Sequence, residues 1–256
     1  MDDTISVTGV TLRFFIFFSF FATFKLAKAK EKGDKKMKKN GKRLLILGSV
    51  LVIAFAIWTL LIQIVDVQSI GQNGTNVGFA TFNYWFHKLT GVSMTIYIIT
   101  DWLGLVPLFV CIVFGGIGFV QLIKRKSLFK VDYDIIFLGI YYIIVIFSYL
   151  IFEAIPINYR PILIEGFMEA SYPSSTTLLV LSVMPTLIYQ VNYRLKNVAV
   201  KKIISIFVIT FSLFMVIGRL ISGVHWFTDI VGSVVLSAGL FNIYKGAVWL
   251  CYKEKK

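Results

Sequence analysis

Long apolar runs separated by short polar and basic clusters make up most of this chain. A helix that crosses a bilayer needs about 20 mostly apolar residues. Six windows are candidates: roughly 44–64, 103–123, 134–152, 175–193, 203–218 and 230–250. Pro107 and Pro185 fall inside two of them, where a membrane helix kinks and its neighbours satisfy the freed backbone groups. The long segment 66–102 carries "FATFNYWFHKLTG", in which Phe79, Phe82, Phe86 and Leu89 recur at helical spacing. That stripe predicts a helix lying on the outer leaflet, with His87 as an interfacial residue. The fold class expected is all-α: a polytopic helical membrane protein of six transmembrane helices, with no internal repeat.

Composition agrees with the pattern. The chain is 57% hydrophobic and 15% charged, against roughly 45–50% and 25% in soluble domains. A formal charge of +13 would suit a nucleic-acid partner if it formed one stripe. Here the bases sit in clusters between spans, which marks membrane topology instead. From Met37 onward, one set of alternating loops and the C-terminal tail holds sixteen bases, among them Lys38, Arg43, Lys124, Arg194 and Lys245; the other set holds only Lys88, Arg160 and Arg219. The bias predicts a multi-pass protein of the plasma membrane with both termini cytoplasmic. Cys111 and Cys251 have no metal-ligand spacing and read as small apolar residues; the expected cofactor is none.

The first 36 residues read differently from the rest. Their apolar stretch, about 14–24, is too short to span, and Asp2-Asp3 is wrong for the basic start of a signal peptide. Lys32-Gly33-Asp34 can be encoded as a ribosome-binding sequence ahead of Met37. Residues 1–36 are therefore expected to be a start-site artefact or a disordered or signal-like extension, and 37–256 the membrane domain.

Three polar segments lie on the face poor in bases: "EAIPINYRP" (153–161), "YPSSTT" (172–177) and "GRLISGVHWFTD" (218–229). His225 and Asp229 are four apart, a spacing at which two helical side chains meet. A carboxylate that takes one ring N–H leaves the other imidazole nitrogen free as a nucleophile or base. Arg219 and Arg160 can bring guanidinium groups, whose planar forks suit phosphate oxygens. Ser174 and Ser175 follow a proline at a helix start, where amides and dipole favour an anion.

In order and direction these segments resemble the signature of the type 2 phosphatidic acid phosphatase (PAP2) superfamily: K-x6-R-P, then P-S-G-H, then S-R-x5-H-x3-D. Arg160-Pro161, Pro173-Ser174, and Arg219, His225 and Asp229 carry the match. The resemblance implies a membrane-embedded, metal-independent phosphatase. It assigns His225 as nucleophile, Asp229 as its orienting partner, and Arg160, Arg219, Ser174 and Ser175 as phosphate ligands. Three positions depart from it: Gly218 replaces the serine, Glu153 the lysine, and Thr176 the second-motif histidine that would protonate the leaving group. An aliphatic hydroxyl is too weak an acid for that role, and losing a general acid costs about 10²–10⁴-fold in rate. A phosphate leaving group, with a pKa of about 6, needs the proton far less than an alkoxide does. The expected substrate is thus a membrane lipid phosphate or diphosphate, undecaprenyl diphosphate of a bacterial membrane foremost, cleaved at the extracytoplasmic face. Glu169 or Glu153 could serve as a surrogate acid if protonated. The alternatives are a lipid phospho- or headgroup transferase using the same histidine, and a catalytically silent binder of lipid phosphate.

Overall fold

A computed structural model describes residues 34–251. Among them are eight α-helices and no strand: α1 Asp34–Ile64, α2 Ala80–Thr90, α3 Met94–Leu103, α4 Leu105–Arg125, α5 Tyr133–Ala154, α6 Ser175–Arg194, α7 Val198–Ile221 and α8 Phe227–Cys251. The reading of residues 1–36 falls, but for its last three positions, outside the described residues.

Among the described residues, five spans are long and apolar enough to cross a membrane: Lys36–Ile64, Met94–Arg125, Tyr133–Ala154, Val198–Ile221 and Phe227–Cys251. The sixth expected span exists as α6, a 20-residue helix, but it is not among those five. Its composition explains why. Thr186 and Gln190 are fully buried: Thr186 Oγ1 lies 2.7 Å from Tyr142 Oη, and Gln190 donates to Tyr244 at 3.2 Å. A helix enclosed by other helices can carry polar groups that lipid would not tolerate, provided they are paired.

The second span is longer than the sequence window 103–123. Helix α3 enters it through a residue, Ser93, whose hydroxyl accepts the Ile96 N–H, and it runs into α4 at Gly104. Pro107 accounts for the break: it has no N–H for the carbonyl four residues back. The outer segment therefore ends near residue 93. Helix α2 lies where the aromatic stripe predicted a helix, with Phe86 buried and Phe82, Trp85 and Leu89 exposed. Lys245, counted above with the basic loops, is instead 2% exposed inside α8, its ammonium 4.3 Å from the Trp249 ring.

The core lies between α5, α6, α7 and α8, where Leu138, Val145, Val183, Met184, Met215 and Val248 are buried together. Helix α1 packs along α8 through paired glycines. A Cβ on Gly48 would come within 2.7 Å of the Gly239 carbonyl, and one on Gly246 within 2.9 Å of the Gly41 carbonyl. Such small-residue seams let membrane helices approach closely where burial of apolar surface gives no net drive. The bundle holds the N-terminus of α6, the C-terminus of α7 and the N-terminus of α8 at one end.

Candidate functional site

His225 lies in the turn 222–226 between α7 and α8, not on a helix with Asp229. The turn is held from several sides. Gly223 takes a left-handed conformation (φ 69°), and a Cβ there would run into the Gly91 carbonyl. The Ser93 N–H donates to the Ser222 carbonyl at 3.0 Å, and His87 Nε2 lies 3.0 Å from the Gly223 carbonyl. Trp226 Nε1 donates to the Tyr159 carbonyl at 2.9 Å. Asn83 of α2 exchanges two bonds with Thr228, at 3.0 and 3.3 Å. The aromatic helix α2 thus braces the turn that presents His225.

The expected direct bond between His225 and Asp229 is not made; Nδ1 and Oδ2 are 3.9 Å apart. Ser171 stands between them. Its hydroxyl donates to Asp229 Oδ2 at 2.5 Å and lies 3.1 Å from His225 Nδ1. Nδ1 is also 3.1 Å from the Ser171 carbonyl. A carbonyl oxygen only accepts, so Nδ1 carries the ring proton and Nε2 its lone pair. Nε2 is buried and has no hydrogen-bond partner within the protein. Asp229 is fully buried, and it also accepts from the Trp226 N–H at 2.9 Å and from Asn158 at 3.3 Å. Burial pushes the His225 pKa well below the ordinary imidazole value; the charges of Arg160 and Arg219 push the same way, against the Ser171 carbonyl bond. The ring is neutral at physiological pH.

Arg160 and Arg219 converge on this ring. Arg160 is carried by a paired loop: its N–H donates to the Glu169 carbonyl at 3.1 Å, and the Ser171 N–H to the Asn158 carbonyl at 2.9 Å. Its Nη2 lies 3.0 Å from Glu169 Oε2. Arg219, 1% exposed, ends α7; its Nη2 donates to Asp101 Oδ1 at 2.8 Å and to Thr176 Oγ1. Both guanidinium groups lie over the Tyr97 ring, at 5.7 and 4.9 Å. Nε and Nη1 of each arginine are buried without a partner. Four cationic donor nitrogens and one lone-pair nitrogen therefore share a small region, an arrangement able to take a tetrahedral oxyanion and attack its centre.

The remaining expected residues divide. Thr176 sits in the site, where it accepts from Arg219. Ser174 is fully buried, its hydroxyl donating to Thr177 Oγ1 at 3.0 Å while its carbonyl accepts from Ser233 at 2.9 Å; it fastens α6 to α8 and presents no side chain outward. Ser175 is half-buried and opens α6. Glu153 is exposed at the end of α5 and makes no bond to the site residues. Glu169 is held on Arg160. Residues the sequence reading passed over are Ser171, Asn158, Tyr97 and Asp101. The last two arrive on α3, which falls almost wholly in the segment 66–102 that the hydropathy windows exclude from the spans. Gly218 admits that helix: a Cβ there would lie 2.7 Å from Thr100 Cγ2.

Comparison with known proteins follows the same lines. Residues 136–253 match the sequence pattern of the PAP2 superfamily. The fold is similar to the crystal structure of a transmembrane PAP2-type phosphatidylglycerolphosphate phosphatase from Bacillus subtilis, with a TM-score of 0.58 at 18% identity over 81% of this chain and 98% of that one. No curated protein matches the chain. The resemblance to the PAP2 superfamily is met by the sequence pattern over residues 136–253, and the fold is similar to that of a membrane PAP2-type phosphatase.

Proposed function

We propose that this chain, PAP2-like in sequence over residues 136–253 and in fold, is an integral-membrane phosphatase acting on a lipid phosphate or diphosphate through a phosphohistidine. The observation that carries the reading is the set of buried, unpartnered nitrogens: His225 Nε2 beside Nε and Nη1 of Arg160 and Arg219. Unpaired buried donors are costly, and a phosphoryl group would satisfy all of them at once.

In the first step Nε2 attacks phosphorus, the N–P bond forms and the P–O bond to the leaving group breaks. The two arginines carry the charge on the non-bridging oxygens. The imidazole becomes cationic as it is phosphorylated, and the Ser171 carbonyl and the Ser171–Asp229 pair stabilise the Nδ1 proton. Water then attacks phosphorus, the N–P bond breaks and phosphate departs with the neutral ring restored. Thr176 is engaged with Arg219 and supplies no proton, which favours a diphosphate whose leaving group is itself a phosphate. Undecaprenyl diphosphate at the outer leaflet is the substrate we favour.

A second reading, transfer of the phosphoryl or headgroup to an acceptor lipid, draws on Asp101 and Glu169. Side-chain exposures of 56% and 39% leave both carboxylates able to meet a cationic acceptor. The test is phosphate release from undecaprenyl diphosphate and from phosphatidic acid by the purified protein, beside His225→Ala and with or without acceptor lipid. Hydrolysis of the diphosphate that vanishes in His225→Ala supports the phosphatase. Product formed only with acceptor supports the transferase, and neither product overturns both.

A further inference from the structure

Helices α4 and α5 diverge around an open groove of about 520 Å³. Gly118, Phe119 and Leu122 of α4 face Gly139 and Ile143 of α5 across it, and Leu128 of the connecting turn closes one end. From Ile135 to Ile143 the groove follows α5 for about 12 Å, at 1.5 Å per residue. The glycines keep it open: a Cβ on Gly115 or Gly139 would have nothing within 4 Å. Phe119, Ile140 and Ile143 are exposed along it, so it faces lipid and not the core. The polar side chain in its lining, Tyr142, is engaged with Thr186 Oγ1 at 2.7 Å.

Charge gathers at the closed end. Gly115, Gly118, Phe119 and Leu122 advance by three and four residues, so the next positions on that face of α4 are Arg125 and Lys126. Arg125 is spent, its Nη1 donating to the Lys130 carbonyl at 2.5 Å and to Asp132 Oδ1 at 2.8 Å. Arg194 takes the other Asp132 oxygen at 3.3 Å and Asp134 Oδ2 at 2.5 Å. That cluster is balanced within itself, two carboxylates to two guanidiniums. Lys126 and Lys130, both exposed, are left without a carboxylate partner among the described residues.

We propose that the groove binds one anionic phospholipid of the leaflet at the base-rich end, with an acyl chain between α4 and α5 and its phosphate on Lys126 and Lys130. A hydrocarbon chain restores the dispersion contacts that an unfilled apolar groove forgoes, and basic sites between membrane helices collect anionic headgroups. The lysines decide between occupants. A helix of a second copy would fill the groove and leave them uncompensated, whereas an anionic lipid meets both needs. The site does not rest on the phosphoryl chemistry.

The experiment is native mass spectrometry of the full chain in nanodiscs holding equal parts of phosphatidylglycerol and phosphatidylethanolamine with the same acyl chains. The lipid retained after release from the disc is the readout. We expect glycerol lipid to exceed ethanolamine lipid at least fivefold. Lys126→Asn combined with Lys130→Gln should abolish that preference; asparagine tolerates the left-handed backbone of Lys126 (φ 53°). Gly139→Leu, which fills the groove, should reduce retention of both lipids several-fold. The two surface exchanges test the headgroup even if Gly139→Leu does not fold. Equal retention by the unaltered chain, a preference that survives the double exchange, or retention indifferent to Gly139→Leu would overturn the proposal. So would a dimer that Gly139→Leu dissociates, which would give the groove to a second copy of the chain.

Discussion

At the scale of single residues, the chemistry of the site turns on which atoms are paired and which are left over. Ser171 is the clearest case. Its hydroxyl bridges His225 and Asp229, so Ser171→Ala should lower kcat by about 10–10²-fold with KM little changed, as expected for loss of an interaction that matters when the imidazole gains charge. A change confined to KM would contradict that role. Asp101→Asn keeps an acceptor for Arg219 but removes a negative charge beside the phosphate site. With Asp101 half-exposed and screened, KM for an anionic lipid should fall by about two- to fivefold, measured on vesicles at fixed lipid density. The pH profile follows from the depressed His225 pKa. The nucleophile is the neutral ring, so the acid limb of kcat/KM should lie below pH ~6.5, the free imidazole value. Arg160→Gln removes one of the charges that depress it, and the limb should move to higher pH.

The elements show what a linear sequence conveys and what it withholds. Spans α1, α5, α7 and α8 were legible because lipid-facing helices must be apolar throughout. Helix α6 was legible as a helix, but its paired polar residues depend on partners that spacing does not reveal. Arg160, Arg219, His225 and Asp229 could be singled out because charge at span ends is costly. Ser171, Tyr97 and Asp101 could not: a serine beside an aromatic residue, and a Tyr and an Asp in an aromatic outer stretch, acquire meaning only when α3 and the 157–171 loop meet the His225 turn. The direct His225–Asp229 bond was expected from helical spacing, and the turn at 222–226 removes that spacing. The elements also yield a stability prediction. Gly223→Ala puts a side chain at positive φ against the Gly91 carbonyl, and should cost about 1–3 kcal/mol, read as a lowered midpoint in detergent unfolding. Gly48→Leu should separate α1 from α8 and lower the midpoint further, while Gly116→Leu, with open space around its Cβ, should not.

The whole molecule is a helical bundle with its polar chemistry at two ends. The base-poor end carries His225 and both arginines; the base-rich end carries the Asp132–Asp134–Arg194 cluster. From the distribution of bases we propose that the first lies outside the cell and the second inside. Single cysteines test this in a background lacking Cys111 and Cys251. Phe167→Cys, on the loop of Arg160 and 72% exposed, should react with a membrane-impermeant maleimide in intact cells, and Phe129→Cys, 97% exposed, only after permeabilisation. The reverse pattern would invert the topology and put the phosphoryl chemistry in the cytoplasm.

The central claim is that His225 Nε2 is the atom that takes the phosphoryl group. The most direct measurement is acid-free quenching of the purified protein during turnover of lipid diphosphate radiolabelled at the terminal phosphorus, followed by peptide mapping. The account predicts an acid-labile, alkali-stable label on His225, absent from His225→Ala and accumulating in Ser171→Ala if dephosphorylation slows. Full phosphate release by His225→Ala, or a label on another residue, would contradict it.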